Sequence, residues 1–567
     1  MFQTEDLLSL HHKVCPRSTP TDKTVQISLD GVSESKSTSI SLDVYSSSFL
    51  HCKNIYPHKI VRPLNKFPVD NRKHFKSVLD DISSNLCIIE QFVGDNPKRA
   101  IVREARSHGG YYACEYCIGK ATHNIHLTAA EEKEKNDRKK QHDLHCKDIL
   151  KKIDYLKSMA CSSSQAEINN SEIDILNQIL SDIKKHYETE NKVKKGHLVW
   201  PANTFTSPRR TLEGVNEIME NIDNEDISNL NVDDLQGFVG KSFLHNVPGF
   251  HFINSIPAEY MHSVCIGVIK RMLELTFNVG ENRPRATKRK LSSPNSFNQY
   301  MSRIKVPREF SRRARNLDFA VLKAQEMRNI LLFFFPIVLE CIEVNAKERK
   351  LWQLLAFIIR ACCLPNDEFQ FVRKSLISQL SQQFYVLYEQ LFSSKNCTYN
   401  THVVASHLLQ IRGDNPLTES SAFKFESFYA ELRNSFTPGT VSPLKQMLQK
   451  IVLRRSLAHH CCQNSLFFSS NDTSLECNSL IYCFINNTHV IYSIQSIDGD
   501  IFSCFIHGRF PCHFNDTSCL PWSSIGVYKL GPLSNTIVLV KRSDVCGKVL
   551  KVMNYLVTCP QNVLREK

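Results

Sequence analysis

The stretch Cys87–Cys117, CIIEQFVGDNPKRAIVREARSHGGYYACEYC, decides how the chain is read. An apolar run ends on Asp95 and Pro97 breaks the strand. A basic segment follows with Lys98, Arg99, Arg103 and Arg106, then Gly-Gly-Tyr-Tyr and the C-x-x-C pair Cys114 and Cys117. A buried strand that delivers one carboxylate to its end is a good place to hold a divalent metal. The four basic residues beside it suit a phosphate-rich substrate.

Ahead of this stretch, residues 1–24 read as a polar, flexible lead-in. VQISLDGV then alternates like a strand, with Val25, Ile27 and Leu29 on one face and Asp30-Gly31 at its end. ISLDVYSSSFLHCKNIYP reads as a second strand or pair, and FKSVLDDI from Phe75 as a short helix. Strands, a helix and another strand give an α/β arrangement, with residues 25–128 as the first part of its core. Beyond Ala129 the texture turns helical and densely charged, so 129–415 reads as a large α-helical insertion with a basic Pro/Ser-containing linker at 281–298. Residues 416–465 form a helical end of the core. Residues 466–567 run in short apolar bursts separated by turn signals such as NNT and DGD, which predicts a small antiparallel β module.

Length and composition bound the function. At 567 residues the chain can hold two to four domains, and its formal charge of +13 favours a polyanionic partner. The 21 cysteines are scattered, and no secretory apolar segment opens the chain, so a reducing compartment is expected. The longest apolar run, ILLFFFPIVL, is too short to span a membrane and contains Pro336. No membrane partner is expected.

Three acids stand out. Asp30 and Asp95 end strands; if those strands are neighbours, both carboxylates reach one pocket. Two such acids can share Mg²⁺ (or Mn²⁺) ions roughly 4 Å apart that clamp the attacking and leaving oxygens of a phosphodiester. Glu426, beside the apolar stripe Phe425, Phe428 and Leu432, fits as the third acid. Read singly, each is ordinary: Asp before Gly is a common turn former, and a helical Glu is usually solvated. The second constellation is Cys114 and Cys117, two thiolates that suit a structural zinc ion as well as they suit the packing of a turn. His123, His126, His262 and His402 are candidates to complete a tetrahedral set. His402 and His407 read equally well as satisfied interior histidines. Trp200 reads either as loop packing or as a stacking platform for a flipped base.

Four blocks occur in order: ISLDGVSESKS, FVGDNPKRAIVREARSHGGYYACEYC, NVPGFHFINSIPAEYMHSVCIGVIKRMLEL and CTYNTHVVASHLL...PLTESSAFKFESFYAEL. Together, over roughly residues 25–460, they resemble the transposase domain of CACTA (En/Spm-like) DNA transposons and their animal relatives. The resemblance implies an RNase H-like catalytic core interrupted by the helical insertion, and DDE-type cleavage and transfer of DNA strands with Mg²⁺. By position it assigns Asp30, Asp95 and Glu426 as catalytic metal ligands, and pairs Cys114 and Cys117 with a downstream histidine, for which His262 or His402 is available, as a possible zinc set. Where related sequences often read Asp-Tyr-Met-His, this chain has Glu259-Tyr260-Met261-His262, which makes Glu259 the rival third acid. Lys98, Arg99, Arg103 and Arg106 become candidate DNA contacts, a homo-oligomer assembled on DNA is implied, and the nucleus is the expected location. The alternative is a domesticated, transposon-derived DNA- or chromatin-binding protein without cleavage activity. A zinc-stabilised interaction scaffold would instead use Cys114, Cys117 and the terminal β module and ignore the acids. Little sequence precedes Asp30, so recognition of element ends is expected to come from elsewhere.

Overall fold

The computed structural model describes residues 24–33, 41–49, 56–61, 78–79, 88–123, 129–158, 172–181, 198–224, 294–304 and 344–434, most positions within 230–277, 322–342 and 475–560, and a few isolated ones. The chain divides into two compact units, Met1–Lys120 with Trp200–Lys567, and Ala121–Val199. The expected insertion at 129–415 is thus not one body. Residues after Trp200 pack with the strands: Trp200 is fully buried, and Phe92 donates its backbone N–H to Ser255 at 2.7 Å.

Strands β1 (Thr24–Ser33), β2 (Ser41–Phe49), β3 (Tyr56–Val61) and β4 (Ile88–Val93) form a sheet in the order β3-β2-β1-β4. β1 pairs antiparallel with β2, β2 antiparallel with β3, and β1 parallel with β4. The first three are joined through short connections, whereas the parallel pair requires a long crossover. Val25, Gln26, Ile27 and Ser28 are all buried, so both faces of β1 are covered. Gln26 and Gln91 are register partners, and their side chains bond across the pair at 2.9 Å. The α/β expectation holds, and β1 and β4 are neighbours, as a shared pocket requires. Most of the segment read as FKSVLDDI, the basic part of the 281–298 linker and the stretch 454–474 lie outside the described residues.

Helix α1 (Asn96–Arg103) starts directly after β4. Asp95 caps it, its Oδ1 accepting from the Lys98 N–H at 2.9 Å, and Pro97 sits in the first turn where its missing N–H costs nothing. In the second unit, helix α2 (Ala129–Ser158) packs through Cys146, Ile149 and Ile153 on Ile173, Leu176 and Leu180. In the first unit, four further helices are α3 (Ala346–Cys362), α4 (Lys374–Phe392), α5 (Tyr399–Arg412) and α6 (Phe423–Asn434). A π-helical stretch, Met261–Ile269, precedes the helix Lys270–Phe277. Gly267 lets α5 come close, since a Cβ there would stand 2.6 Å from the Asn400 side-chain nitrogen.

The C-terminal region is an antiparallel β module, as its alternation predicts. Strands β5 (Leu480–Ile485), β6 (Thr488–Asp498), β7 (Ile501–Pro511), β8 (Val527–Lys541), β9 (Gly547–Val552) and β10 (Tyr555–Pro560) close into a barrel. Asn486 and Asn487, both at positive φ, make the two-residue turn between β5 and β6 that the NNT signal announced. Buried polar groups bond the barrel to the helices. Arg360 donates to the Ile525 carbonyl at 2.6 Å, and His489 lies between Tyr528 and the Glu368 carboxylate at 2.9 Å each. Among the described residues, no helix is long and apolar enough to cross a membrane.

Candidate metal centres

The first centre is built from the C-x-x-C turn and helix α5. Residues 116–118 lie along 208–210: Ile118 donates to the Pro208 carbonyl and Arg210 to that of Tyr116, at 3.0 and 2.9 Å. Arg210 also holds the Cys114 carbonyl at 3.0 Å. Helix α5 starts at Thr398, whose side chain caps it, and brings His402 and His407 to the thiols. The four ligand atoms of Cys114, Cys117, His402 and His407 lie within 4.8 Å of one another, and all four residues are buried. Cys114 Sγ is 3.3 Å from His407 Nε2, Cys117 Sγ is 3.4 Å from His402 Nε2, and the two Nε2 atoms are 3.3 Å apart. A tetrahedral zinc ion, with Zn–S of about 2.3 Å and Zn–N of about 2.0 Å, needs S···N near 3.5 Å and N···N near 3.3 Å. The group can therefore hold zinc.

The surrounding groups support that fit. His402 Nδ1 faces the Thr204 hydroxyl at 3.0 Å, and that hydroxyl donates to the Pro201 carbonyl, so Nδ1 carries the proton and Nε2 presents its lone pair. Burial lowers the pKa of His407 and keeps it neutral. A hydrogen bond from Cys114 holds the Cys117 thiol below the usual range, with Arg210 and Arg209 acting in the same direction. Arg209 lies against His407 Nδ1. A guanidinium only donates, so with Nε2 on a metal it would rely on its other partner, the Ser406 carbonyl at 2.7 Å. Trp200 stacks on His402 with ring centroids 4.5 Å apart and is fully buried, which leaves no face for a flipped base.

The second candidate centre concerns the acids beside β1 and β4; Asp30 does not end its strand as the sequence suggested, because β1 continues to Ser33 through its pairing with β2. Ser28 pairs with Val93 in the parallel ladder, and Asp30 and Asp95 each follow two residues later. Asp30 lies within β1, opposite Val44 of β2; its side chain is outside the described residues. Asp95 is half-buried. One of its oxygens caps α1, and its other oxygen has no protein donor among the described residues. Helix α6 packs on β1, where the Tyr429 hydroxyl meets that of Ser28 at 3.2 Å. Glu426, one turn earlier on the same helix face, keeps its side chain 38% exposed and stands 3.9 Å from His262 Nε2.

Glu259 is fully buried and accepts four hydrogen bonds. Its Oε1 takes the N–H groups of Met261 and Ala422 at 2.6 Å each, and its Oε2 takes the His262 N–H at 2.8 Å and His262 Nδ1 at 2.6 Å. Those donors use all the lone pairs of the carboxylate, so Glu259 has none to offer a metal. Burial would raise its pKa, but the His262 hydrogen bond and charge, with the backbone donors, hold it below the usual carboxylate range. Burial would lower that of His262, yet Glu259, Glu426 and Asp95 together hold it up to about 9. Their charges thus act on one small region.

Two sets of sequence expectations need correction. His262 is not part of the Cys114–Cys117 group: Glu259 holds its Nδ1 and its Nε2 faces Glu426. The histidines that stand with the two thiols and could complete the set are His402, which the sequence offered as an alternative, and His407, which read as an interior histidine. Two histidines on one helix that presents them to two thiols were the available signal. Of the candidate DNA contacts, Arg99 and Arg103 are buried. Arg99 pairs with Glu115 at 3.2 Å, and Arg103 lies against the rings of Phe238 and Phe252. Neither is on a surface that DNA can reach. Lys98 is half-buried and Arg106 is exposed. His123 belongs to the second unit, and His126 is outside the described residues.

No protein-family model matches the chain, and no curated protein matches it.

Proposed function

We propose that the chain is a metal-dependent DNA-cleaving enzyme of the DDE type, a transposase by its sequence resemblance, whose reaction is cleavage and transfer of DNA strands at transposon ends. The observation that carries the reading is the register of β1 with β4. Ser28 and Val93 are the last partners of the parallel ladder, Asp30 and Asp95 each follow two residues later, and α6, which carries Glu426, packs on β1. The strand order β3-β2-β1-β4, with only the last pair parallel, is compatible with the first four strands of the RNase H-like core that the sequence resemblance implies.

Hard oxygen donors suit Mg²⁺ or Mn²⁺. Ions bound by Asp30, Asp95 and Glu426 would activate a water or a 3′-hydroxyl for attack on phosphorus and offset charge on the leaving oxygen. The protein's own part is positioning. The N-cap bond fixes one oxygen of Asp95 and leaves the other to act. Glu259 fixes the ring of His262, so that Nε2 faces the acids. The net positive charge of +13 favours the approach of DNA.

The zinc group would be structural, because it is closed by four protein ligands, and an ion held this way contributes directly to folding. The nuclear location and assembly as an oligomer on DNA belong to the same reading. The test is nicking of supercoiled plasmid by the zinc-loaded chain with Mn²⁺ or Mg²⁺. Cleavage that disappears in Asp95→Asn and Glu426→Gln supports the reading. Salt-sensitive DNA binding with no cleavage under any metal would leave the non-cleaving, domesticated alternative.

A further inference from the structure

The two residues between the zinc-type cysteines, Glu115 and Tyr116, are fully buried, and neither is a metal ligand. The Glu115 carboxylate accepts from Arg99 Nε at 3.2 Å and from the Tyr399 hydroxyl of α5. Arg99 in turn donates from Nη1 to the Gly94 carbonyl at 2.8 Å, directly before Asp95, and from its backbone to the Asp95 carbonyl at 3.0 Å. The Tyr116 hydroxyl accepts from the Ala258 N–H at 2.7 Å, directly before Glu259. Glu259 then holds Ala422, whose carbonyl takes the Glu426 N–H at 2.8 Å. Two adjacent side chains of one turn thus reach both acid-bearing segments by separate routes.

We propose that Glu115 and Tyr116 are positioning residues of the acid centre, through which the cysteine–histidine centre fixes where Asp95 and Glu426 stand. This rests on the reading of the acids as a divalent-metal site. The routes are short, and each passes through groups buried away from water, where a hydrogen bond has no competing solvent partner. Filling or emptying the Cys114–Cys117 centre therefore changes the geometry offered to Mg²⁺ or Mn²⁺ even though the two sites share no ligand. Tyr116 also stacks on His407 with centroids 5.1 Å apart, so the same side chain feels the state of the ligand helix.

The test is a Mn²⁺ titration of the full, zinc-loaded chain, followed by the electron paramagnetic resonance signal of free Mn²⁺. Tyr116→Phe keeps the ring and its stacking and removes only the hydroxyl. It is expected to keep one zinc per chain and to weaken Mn²⁺ binding about three- to tenfold, the net effect of one buried hydrogen bond. Tyr388→Phe, which loses a buried hydroxyl serving the Asn396 carbonyl instead, is the control and should bind Mn²⁺ as the parent does. Glu115→Gln should weaken binding further; if it fails to fold, Tyr116→Phe decides. Unchanged Mn²⁺ affinity in zinc-loaded Tyr116→Phe overturns the inference while leaving the acid site standing. A parent chain that binds no Mn²⁺, or one whose Mn²⁺ affinity survives Asp95→Asn, overturns both.

Discussion

The two centres of the first unit are built on opposite plans. The cysteine–histidine group is closed: its four candidate ligand residues are all buried and could by themselves complete the tetrahedral set of a zinc ion. The acid group is open, with Asp95 half-buried at the N-terminus of α1 and the Glu426 side chain 38% exposed in the first turn of α6. A closed, sulfur-and-imidazole site suits a structural ion, and an open oxygen site suits one that must also meet substrate. The contrast teaches that the first can set the geometry of the second without taking part in its chemistry.

The largest expected effect tests the closed side. Cys114→Ser or His407→Ala should lose zinc and with it the fold of the first unit, since structural zinc sites contribute on the order of 10 kcal/mol or more. Metal analysis and circular dichroism would check this. A well-folded, zinc-free variant would break the comparison. Next, Asp95→Asn should abolish metal-dependent cleavage while zinc content and melting temperature stay close to those of the parent, since the asparagine amide oxygen can still accept the Lys98 N–H and cap α1. Cleavage that survives in this variant would contradict the role given to Asp95.

A third variant separates general stability from either site. Glu368→Ala removes the buried partner of Tyr482 and His489 between barrel and helices, at a cost of about 3–5 kcal/mol. Thermal unfolding should fall accordingly, with zinc stoichiometry and Mn²⁺ affinity unchanged.

The fourth prediction concerns pH. The His262 pKa is raised from 6.5 to about 9 in the folded chain, so the folded state binds more protons than the unfolded one between those values. Its contribution to stability is complete below 6.5 and is lost as pH rises through about 9. Melting temperatures measured across that window should fall more for the parent than for His262→Gln; equal slopes would contradict the assignment.

The smallest effect is expected at the surface. Arg106→Ala should reduce the salt dependence of DNA binding by a slope of about 0.9, the worth of one phosphate contact. Arg106 is exposed, unlike Arg99 and Arg103, for which no such effect is expected without unfolding.

Legibility in the sequence followed the range of the interactions. The strand leading to Asp95 and the Asn486-Asn487 turn are local, and the pattern of apolar and turn residues was enough to read them, whereas the helix that Asp95 caps was not read from it. The C-x-x-C pair was equally plain. Its partners were not: His402 and His407 lie 285 and 293 residues from the cysteines they approach, and nothing local separates a ligand histidine from a core one. Arg99 misled for the same reason. A basic residue beside an acid looks like a phosphate contact until the fold supplies Glu115 as its buried partner. Glu259 looked like a metal ligand because its four donors come from Met261, His262 and the distant Ala422.

The most direct measurement is a crystal structure of the chain grown with Zn²⁺ and Mn²⁺, with anomalous scattering recorded at both absorption edges. The account predicts a zinc peak among Cys114, Cys117, His402 and His407, and a separate manganese peak touching Asp95 and Glu426 beside β1. Manganese absent from the acids, or bound at Glu259 in place of its four donors, would contradict it.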